Sequence, residues 1–161
     1  MSDAGLTLGL EEDPLLLDRQ ICFPLYAATN LLGRLYGPVL RKLNLTYPQY
    51  LVMLVLWEQQ PQTIGALGAR LYLDSGTLTP LLKRMEGAGL LSRARDPNDE
   101  RRVVVTLTER GKTLRSQALH VPETMANGYN AEGVDALRES VRDLVSILAQ
   151  HSTRSPGSKA A

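Results

Sequence analysis

Cysteine is nearly missing from this chain: Cys22 is the only one in 161 residues. An internal disulfide is therefore excluded, as is a zinc site built on paired cysteines. Histidine is almost as scarce, with His120 and His151 far apart in sequence, so no metal site is expected. No run of apolar residues is long enough to cross a bilayer, and no basic start followed by an apolar stretch marks export. Charge of one sign is not in excess either, with 18 Lys and Arg against 17 Asp and Glu for a formal +1. These absences point to a cytoplasmic protein without cofactor or metal, in which a lone thiol stays reduced unless a specific oxidant reaches it.

What is present is a sequence with 43% hydrophobic residues, enough for one domain, or one domain with helices that need a partner. The neutral balance hides an asymmetry, because residues 1–18 carry five acids and no base. Residues 1–14 read as a flexible acidic arm, 152–161 as a flexible tail, and 15–151 as a single domain. Inside it the pattern is mostly helical. Asp18 is a candidate cap for a helix over about 19–41, with Leu25, Ala28, Leu32, Leu35, Val39 and Leu40 as its apolar face. Pro24 is comfortable in a first turn but costs a hydrogen bond deeper inside a helix, which places Cys22 near the start of that helix. "YPQYLVMLVLWE" reads as a second helix, too apolar to face water on any side. A short helix covers 63–71, and the next begins at Asp74 or Ser75 and closes at Gly87 or Gly89. Runs at about 90–95 and 102–107 flank the polar turn "DPNDER" and read as a two-stranded hairpin. Helices over 109–125 and 131–150 complete the chain.

That order is mostly α with a small two-stranded β-wing: a winged helix-turn-helix with a helical dimerisation region drawn from both termini. The part from about 47 to 107 has the build of a DNA reader, because the second helix of its pair matches the width of the major groove. Thr77, Thr79, Lys83 and Arg84 lie off that helix's apolar face, and Arg101 and Arg102 sit at the hairpin tip. Six basic residues stand against four acidic ones from 83 to 102, a weakly positive patch that gains strength from duplication. The helices at 19–41, 109–125 and 131–150 are hard to bury in one copy and imply a homodimer. Two recognition helices would then read a pseudo-palindromic operator in double-stranded DNA.

Two readings of Cys22 stand on the residues alone. A free cysteine is commonly an inert apolar filler. At a helix start, however, unpaired amides and the helix dipole favour a thiolate. Tyr26 lies one turn further on. Tyr36 follows by fourteen residues, about 21 Å along a continuous helix, so it cannot touch Cys22 of its own chain by that route. In an antiparallel pair of first helices it could reach the Cys22 of a second copy.

"ICFPLY", "LNLTYPQYLVMLVLWE", "LGARLYLDSGTLTPLLKRME" and "DERRVVVTLT" together closely resemble the organic-hydroperoxide-sensing repressors of the MarR family, over roughly residues 16–150. The resemblance implies a winged-helix homodimer that leaves its operator when a thiol is oxidised. By position, Cys22 matches the peroxidatic cysteine, and Tyr36 and Tyr47 match tyrosines that hydrogen-bond it from the opposite subunit. Tyr26 matches an aromatic residue near the pocket, and residues 75–84, from Ser75, match the recognition helix. Asp99 and Arg101 match a wing pair whose arginine enters the minor groove. Some members carry a second, late cysteine, which residues 108–161 lack. The resemblance thus implies a one-cysteine sensor: an organic hydroperoxide oxidises Cys22, and a small cellular thiol is a candidate partner for the product. Pro24 departs from the expected apolar residue. Three rivals remain on the sequence: a regulator released by an aromatic or phenolic ligand, a thiol peroxidase, which would need a resolving partner, and a pure dimerisation scaffold. The reading taken is a regulator and not an enzyme.

Overall fold

A computed structural model of the chain describes residues 13–126 and 131–154. The sequence expectations for residues 1–12 and 155–161 lie outside the described residues. The chain forms two units, one reaching to Leu119 and the other starting at His120.

In the first unit a 3-10 turn over Leu17–Arg19 precedes helix α1, Cys22–Arg41. The expected cap at Asp18 is not made: Asp18 lies inside the turn, and Ile21 caps α1 without a side-chain hydrogen bond. Pro24 is the third residue of α1. Its missing N–H is one of the donors that a helix start leaves unpaired in any case, so the proline costs no backbone hydrogen bond there. Helix α2, Tyr47–Glu58, opens on a reciprocal cap: Gln49 N donates to Thr46 Oγ1 at 3.5 Å and Thr46 N donates to Gln49 Oε1 at 2.8 Å. Tyr50, Val52, Met53 and Leu56 of α2 are buried, whereas Leu54 is 41% exposed, so α2 is not enclosed on every side.

Strand β1, Gln62–Thr63, leads into α3, Ile64–Leu71, and α4 follows over Ser75–Gly87. The tight turn between α3 and α4 depends on Gly68, where a Cβ would stand 2.6 Å from the Leu73 carbonyl oxygen. Tyr72 closes α3 in the left-handed region. Asp74, not Ser75, caps α4, accepting from Thr77 N at 2.8 Å. Leu78, Leu81, Leu82 and Met85 give α4 its buried face.

The wing differs from the expected pair of strands in two ways. The sheet has three antiparallel strands in the order β1-β3-β2, with β2 over Leu91–Asp96 and β3 over Asp99–Leu107. β1 joins through Gln62 opposite Val105 and Thr63 opposite Val104. Two residues show no alternation, which is why this strand leaves no mark in the sequence. The hairpin also runs to its tip, with Asp96 opposite Asp99, because its polar end is solvated on both faces and needs no apolar alternation.

Helix α5 covers Glu109–Ala118, capped by Thr108, whose Oγ1 accepts from Gly111 N at 3.1 Å. Gly111 is required for packing, since a Cβ there would collide with the Leu90 carbonyl oxygen. Trp57 Nε1 donates to the Gly111 carbonyl at 2.9 Å and ties α2 to this start. The single helix expected over 109–125 is two helices, because α5 ends at Ala118 and α6 covers His120–Ala126. Pro122 supplies the reason. Inside a continuous helix it would remove the bond to Ala118 and clash with that carbonyl, whereas as third residue of α6 it removes nothing. In the second unit α7 spans Ala131–Arg154, four residues past the expected end, so residues 152–154 are helix rather than tail.

Candidate functional site

Two groups of side chains carry the candidate chemistry. The first surrounds the thiol. Cys22 is the first residue of α1 and is exposed, so it does not fill a core. Tyr26, one turn on, is 69% exposed. Tyr36 lies far along α1, where the α1–α2 packing brings it against α2. Its ring centroid is 5.1 Å from that of Tyr47 and 6.1 Å from that of Tyr50. Tyr36 and Tyr47 therefore stand together in one chain, and the length of α1 holds both about 20 Å from that chain's own Cys22.

Tyr50 is the member that sequence reasoning did not place in the site. The signal was the spacing in "YPQY", which sets Tyr47 and Tyr50 one turn apart on a common helix face. Burial, and after it the neighbouring Tyr36, push the Tyr47 phenol above its ordinary range, and burial with both neighbours does the same for Tyr50. Both hydroxyls thus keep their protons at neutral pH and remain hydrogen-bond donors.

The second group faces outward from α3, α4 and the wing. With four buried residues on one side of α4, a rotation of 100° per residue turns Gly76, Pro80 and Lys83 directly outward, flanked by Thr79 on one side and by Thr77 and Arg84 on the other. Small residues at the centre of that face leave room for a close approach, and cations stand on and beside it. Ser75, Thr77, Thr79, Lys83 and Arg84 are all exposed. The Thr77 hydroxyl is already engaged, donating to Asp74 Oδ2 at 3.1 Å.

The wing tip carries Arg101 and Arg102, both exposed. The pairing of Asp99 with Arg101 takes a different form from the expected one. Asp99 Oδ1 accepts the backbone N–H of Arg101 at 3.1 Å, and its Oδ2 lies 3.8 Å from Arg102 Nε. The neighbouring guanidinium, that of Arg102, is held by the carboxylate, while Arg101 forms no salt bridge among the described residues. Arg95 Nη1 donates to the Glu100 carbonyl at 2.6 Å and braces the hairpin.

Helix and wing are joined by one ion pair. Arg93 of β2 donates to Glu86 Oε2 of α4 from Nε at 3.0 Å and from Nη2 at 2.8 Å, while its backbone N–H donates to Oε1 at 2.8 Å. The same Arg93 contacts hold the Glu86 carboxyl below its ordinary range. The two outward surfaces are thereby fixed at one angle. Among the described residues no cluster of three or more His, Cys, Asp or Glu could hold a metal ion, and no helix is long and apolar enough to cross a membrane.

Comparison with known proteins gives this geometry a context. The family described as "Transcriptional regulator SarA/Rot" matches residues 34–117, which run from α1 to α5. The chain is 45% identical to the organic hydroperoxide resistance transcriptional regulator of Bacillus subtilis (strain 168) over 140 residues, 86% of this chain and 95% of that protein. It is 46% identical to the HTH-type transcriptional regulator TtmR of Methylorubrum extorquens (strain PA1), over 84% of this chain and 69% of the relative. Among solved structures, reduced AbfR bound to DNA superposes with a TM-score of 0.69 at 34% identity, covering 83% of this chain and 94% of that one. Overoxidised AbfR bound to DNA gives 0.67 at 36% identity, over 81% and 94%, and disulfide-formed AbfR gives 0.58 at 36%, over 80% and 92%. AbfR is a protein of Staphylococcus epidermidis. On these matches and the winged-helix fold, the chain belongs to the MarR/SarA family of winged-helix transcriptional regulators, and is similar to its organic hydroperoxide resistance regulators.

Proposed function

We propose that this chain is a cytoplasmic repressor that binds a pseudo-palindromic operator as a homodimer and releases it when an organic hydroperoxide oxidises Cys22. The observation that carries the reading is the separation of the thiol from its partners. Cys22 is exposed at one end of α1 while Tyr36 and Tyr47 pack together near the other, so only a second copy can bring two phenol donors to the sulfur. The family relationship supports the same arrangement, as does the DNA-bound state in which AbfR was solved. On the DNA side, Ser75, Thr77, Thr79, Lys83 and Arg84 enter the major groove on α4. Asp99 sets the wing tip, from which Arg101 and Arg102 reach the backbone and minor groove.

The chemistry follows from one sulfur. The Cys22 thiolate attacks the terminal oxygen of the hydroperoxide. A sulfur–oxygen bond forms, the oxygen–oxygen bond breaks, and the alcohol leaves once its alkoxide is protonated. The sulfur is oxidised by two electrons to a sulfenic acid and the peroxide is reduced. With no second cysteine in the sequence, a small cellular thiol condenses with the sulfenic acid to give a mixed disulfide and water. The adduct displaces the phenols of Tyr36 and Tyr47, with Tyr26 at the edge of the pocket, and turns the two α4 helices away from the spacing that the operator demands. A few kcal/mol of differential affinity is enough to pass from mostly bound to mostly released.

AbfR was solved on DNA in its overoxidised as well as its reduced state. The small-thiol adduct, rather than added oxygen alone, is therefore the form to which we assign release. The test follows operator binding by fluorescence anisotropy while tert-butyl hydroperoxide is added with and without glutathione, and reads the mass of the protein in parallel. Wild type should release DNA as the mixed-disulfide mass appears. Cys22→Ser should bind the operator as wild type does and ignore the oxidant. Release by Cys22→Ser would falsify the thiol mechanism.

A further inference from the structure

Tyr50 is a phenol of the α1–α2 cluster to which the proposed chemistry gives no task. It is 4% exposed, and its ring centroid lies 6.1 Å from that of Tyr36, which in turn lies 5.1 Å from that of Tyr47. Among the described residues none of these three hydroxyls makes a hydrogen bond. Yet no fully enclosed side-chain oxygen is left without a partner among those residues. The Tyr50 oxygen therefore touches the surface while its ring is buried, a donor presented end-on with nothing yet to donate to. Burial, and after it Tyr36 and Tyr47, push this phenol up, so its proton is present at neutral pH.

Tyr36 and Tyr47 are assigned to the sulfur, but oxidation has a second centre of developing charge. As the thiolate attacks the terminal oxygen, the electron pair of the breaking oxygen–oxygen bond collects on the oxygen that carries the organic group. The attack is in line, with about 3–3.5 Å from sulfur to terminal oxygen, so the leaving oxygen stands roughly 5 Å from the sulfur. Tyr50 follows Tyr47 by three residues, about 4.5 Å along α2 and on the same helix face. One helical turn is thus the offset between a donor to sulfur and a donor to the leaving oxygen. The driving force is in place as well, since a phenol is a far stronger acid than the alcohol that forms.

We infer that Tyr50 is the proton donor to the leaving oxygen when an organic hydroperoxide oxidises Cys22. This role rests on the proposed arrangement in which a second copy brings its Cys22 to Tyr36 and Tyr47. The sulfur–oxygen bond forms as the oxygen–oxygen bond breaks, and the alkoxy oxygen takes the Tyr50 proton and departs as the alcohol. Sulfur is oxidised by two electrons, the hydroperoxide is reduced by two, and the Tyr50 phenolate recovers a proton from water. The three phenols thereby divide between the two ends of the reacting line. The division also sets a preference among oxidants. Alkyl hydroperoxides gain from Tyr50 because an alkoxide leaves poorly without a proton, whereas a peracid expels a carboxylate that needs none.

The test follows loss of the free Cys22 thiol by mass after a timed acid quench, in the full chain without DNA, with tert-butyl hydroperoxide and with peracetic acid. Tyr50→Phe keeps the buried ring and loses only a hydroxyl that makes no bond within the chain, so it should unfold as wild type does. It should react with tert-butyl hydroperoxide about a hundredfold more slowly than wild type, the lower end of what a positioned acid supplies, and with peracetic acid within about twofold of it. Tyr36→Phe, which loses a donor to the sulfur, should slow both oxidants alike. Equal slowing of both oxidants in Tyr50→Phe, or slowing of neither, would overturn the inference and leave the two-copy arrangement in place. A wild-type thiol that reacts with tert-butyl hydroperoxide no faster than glutathione does would overturn that arrangement, and this role with it.

Discussion

Residues 40–107 are less rich in apolar side chains than residues 15–35, yet it is the longer stretch that buries them. From Leu40 to Leu107 the large side chains close on one another: Val52, Met53, Leu67, Leu78, Leu82, Met85 and Val105 are all at 0% exposure. Between Leu15 and Leu35 no large apolar side chain is buried. Leu15, Leu17, Ile21, Tyr26, Leu31 and Leu35 are each more than half exposed. The first region satisfies the hydrophobic effect within one chain, and the second leaves it for another molecule to satisfy. On the proposed function this division has a use. The DNA-reading part is rigid by its own packing, and oxidation of Cys22 would act on the part left for a second copy to cover, altering an inter-subunit angle rather than melting a core.

Substitutions of one residue type test that contrast most sharply. Leu82→Ala, in the closed region, should cost about 3 kcal/mol in urea unfolding, combining lost transfer energy with the cavity left behind. Leu35→Ser, on the open face, should leave unfolding of the single chain within about 0.5 kcal/mol and instead weaken association and operator binding. Sedimentation at several concentrations separates the two effects. Equal, concentration-independent losses in both variants would break the contrast. Next in size, Thr46→Ala removes the reciprocal cap with Gln49 at the start of α2 and should cost about 1 kcal/mol, read in the same unfolding assay.

What could be read in advance follows the same division. The winged helix-turn-helix was legible because its elements are local: a cap expected at Asp74 or Ser75, an apolar face on the helix that follows, and the polar turn "DPNDER" between two runs, all visible over a few residues. Strand β1 was not legible, since two residues carry no period. The break at Leu119 was legible in principle through Pro122 but was missed, because the apolar pattern on either side runs on without a gap. At the candidate site, the separation of Cys22 from Tyr36 needed only the rise of a helix. The packing of Tyr50 against Tyr36 needed the α1–α2 contact, a long-range fact that spacing does not contain. The pairing of Asp99 with Arg102 rather than with the Arg101 guanidinium is decided by side-chain direction at a two-residue turn, which lies below what a motif match resolves.

The closed region also has a pH dependence, set at the start of α4 and where α4 meets β2. Asp74, through its bond from Thr77, and Glu86, through Arg93, both have carboxyls held below their ordinary values of 3.8 and 4.5. The unfolded chain takes up protons at these groups first as pH falls. Their contribution to stability is therefore complete above about pH 4.5 and is lost progressively below it as the folded values are crossed. Both groups are in contact with solvent, so this effect is smaller than the loss of the Thr46 cap. Glu86→Gln should flatten the acid limb of the stability curve. It should also loosen the wing against α4 and weaken operator binding at neutral pH, without changing the response of Cys22 to hydroperoxide.

The smallest expected effect belongs to Pro24, beside the thiol. Four prolines stand within helices of the first unit beyond their opening residue: Pro24 in the first turn of α1, Pro48 in the first turn of α2, Pro38 deeper in α1, and Pro80 in α4. Pro38 and Pro80 each remove an interior hydrogen bond, whereas Pro24 occupies a position whose N–H has no partner to lose. Pro24→Ala should accordingly change unfolding by less than about 0.5 kcal/mol, with the small term coming from the freer unfolded chain. Pro38→Ala should instead restore a bond in α1 and stabilise measurably. If Pro24→Ala left stability unchanged but altered the rate at which tert-butyl hydroperoxide oxidises Cys22, the proline would be acting on the sulfur's surroundings. It would do so by fixing the first turn of α1 and hence the direction in which the thiol projects.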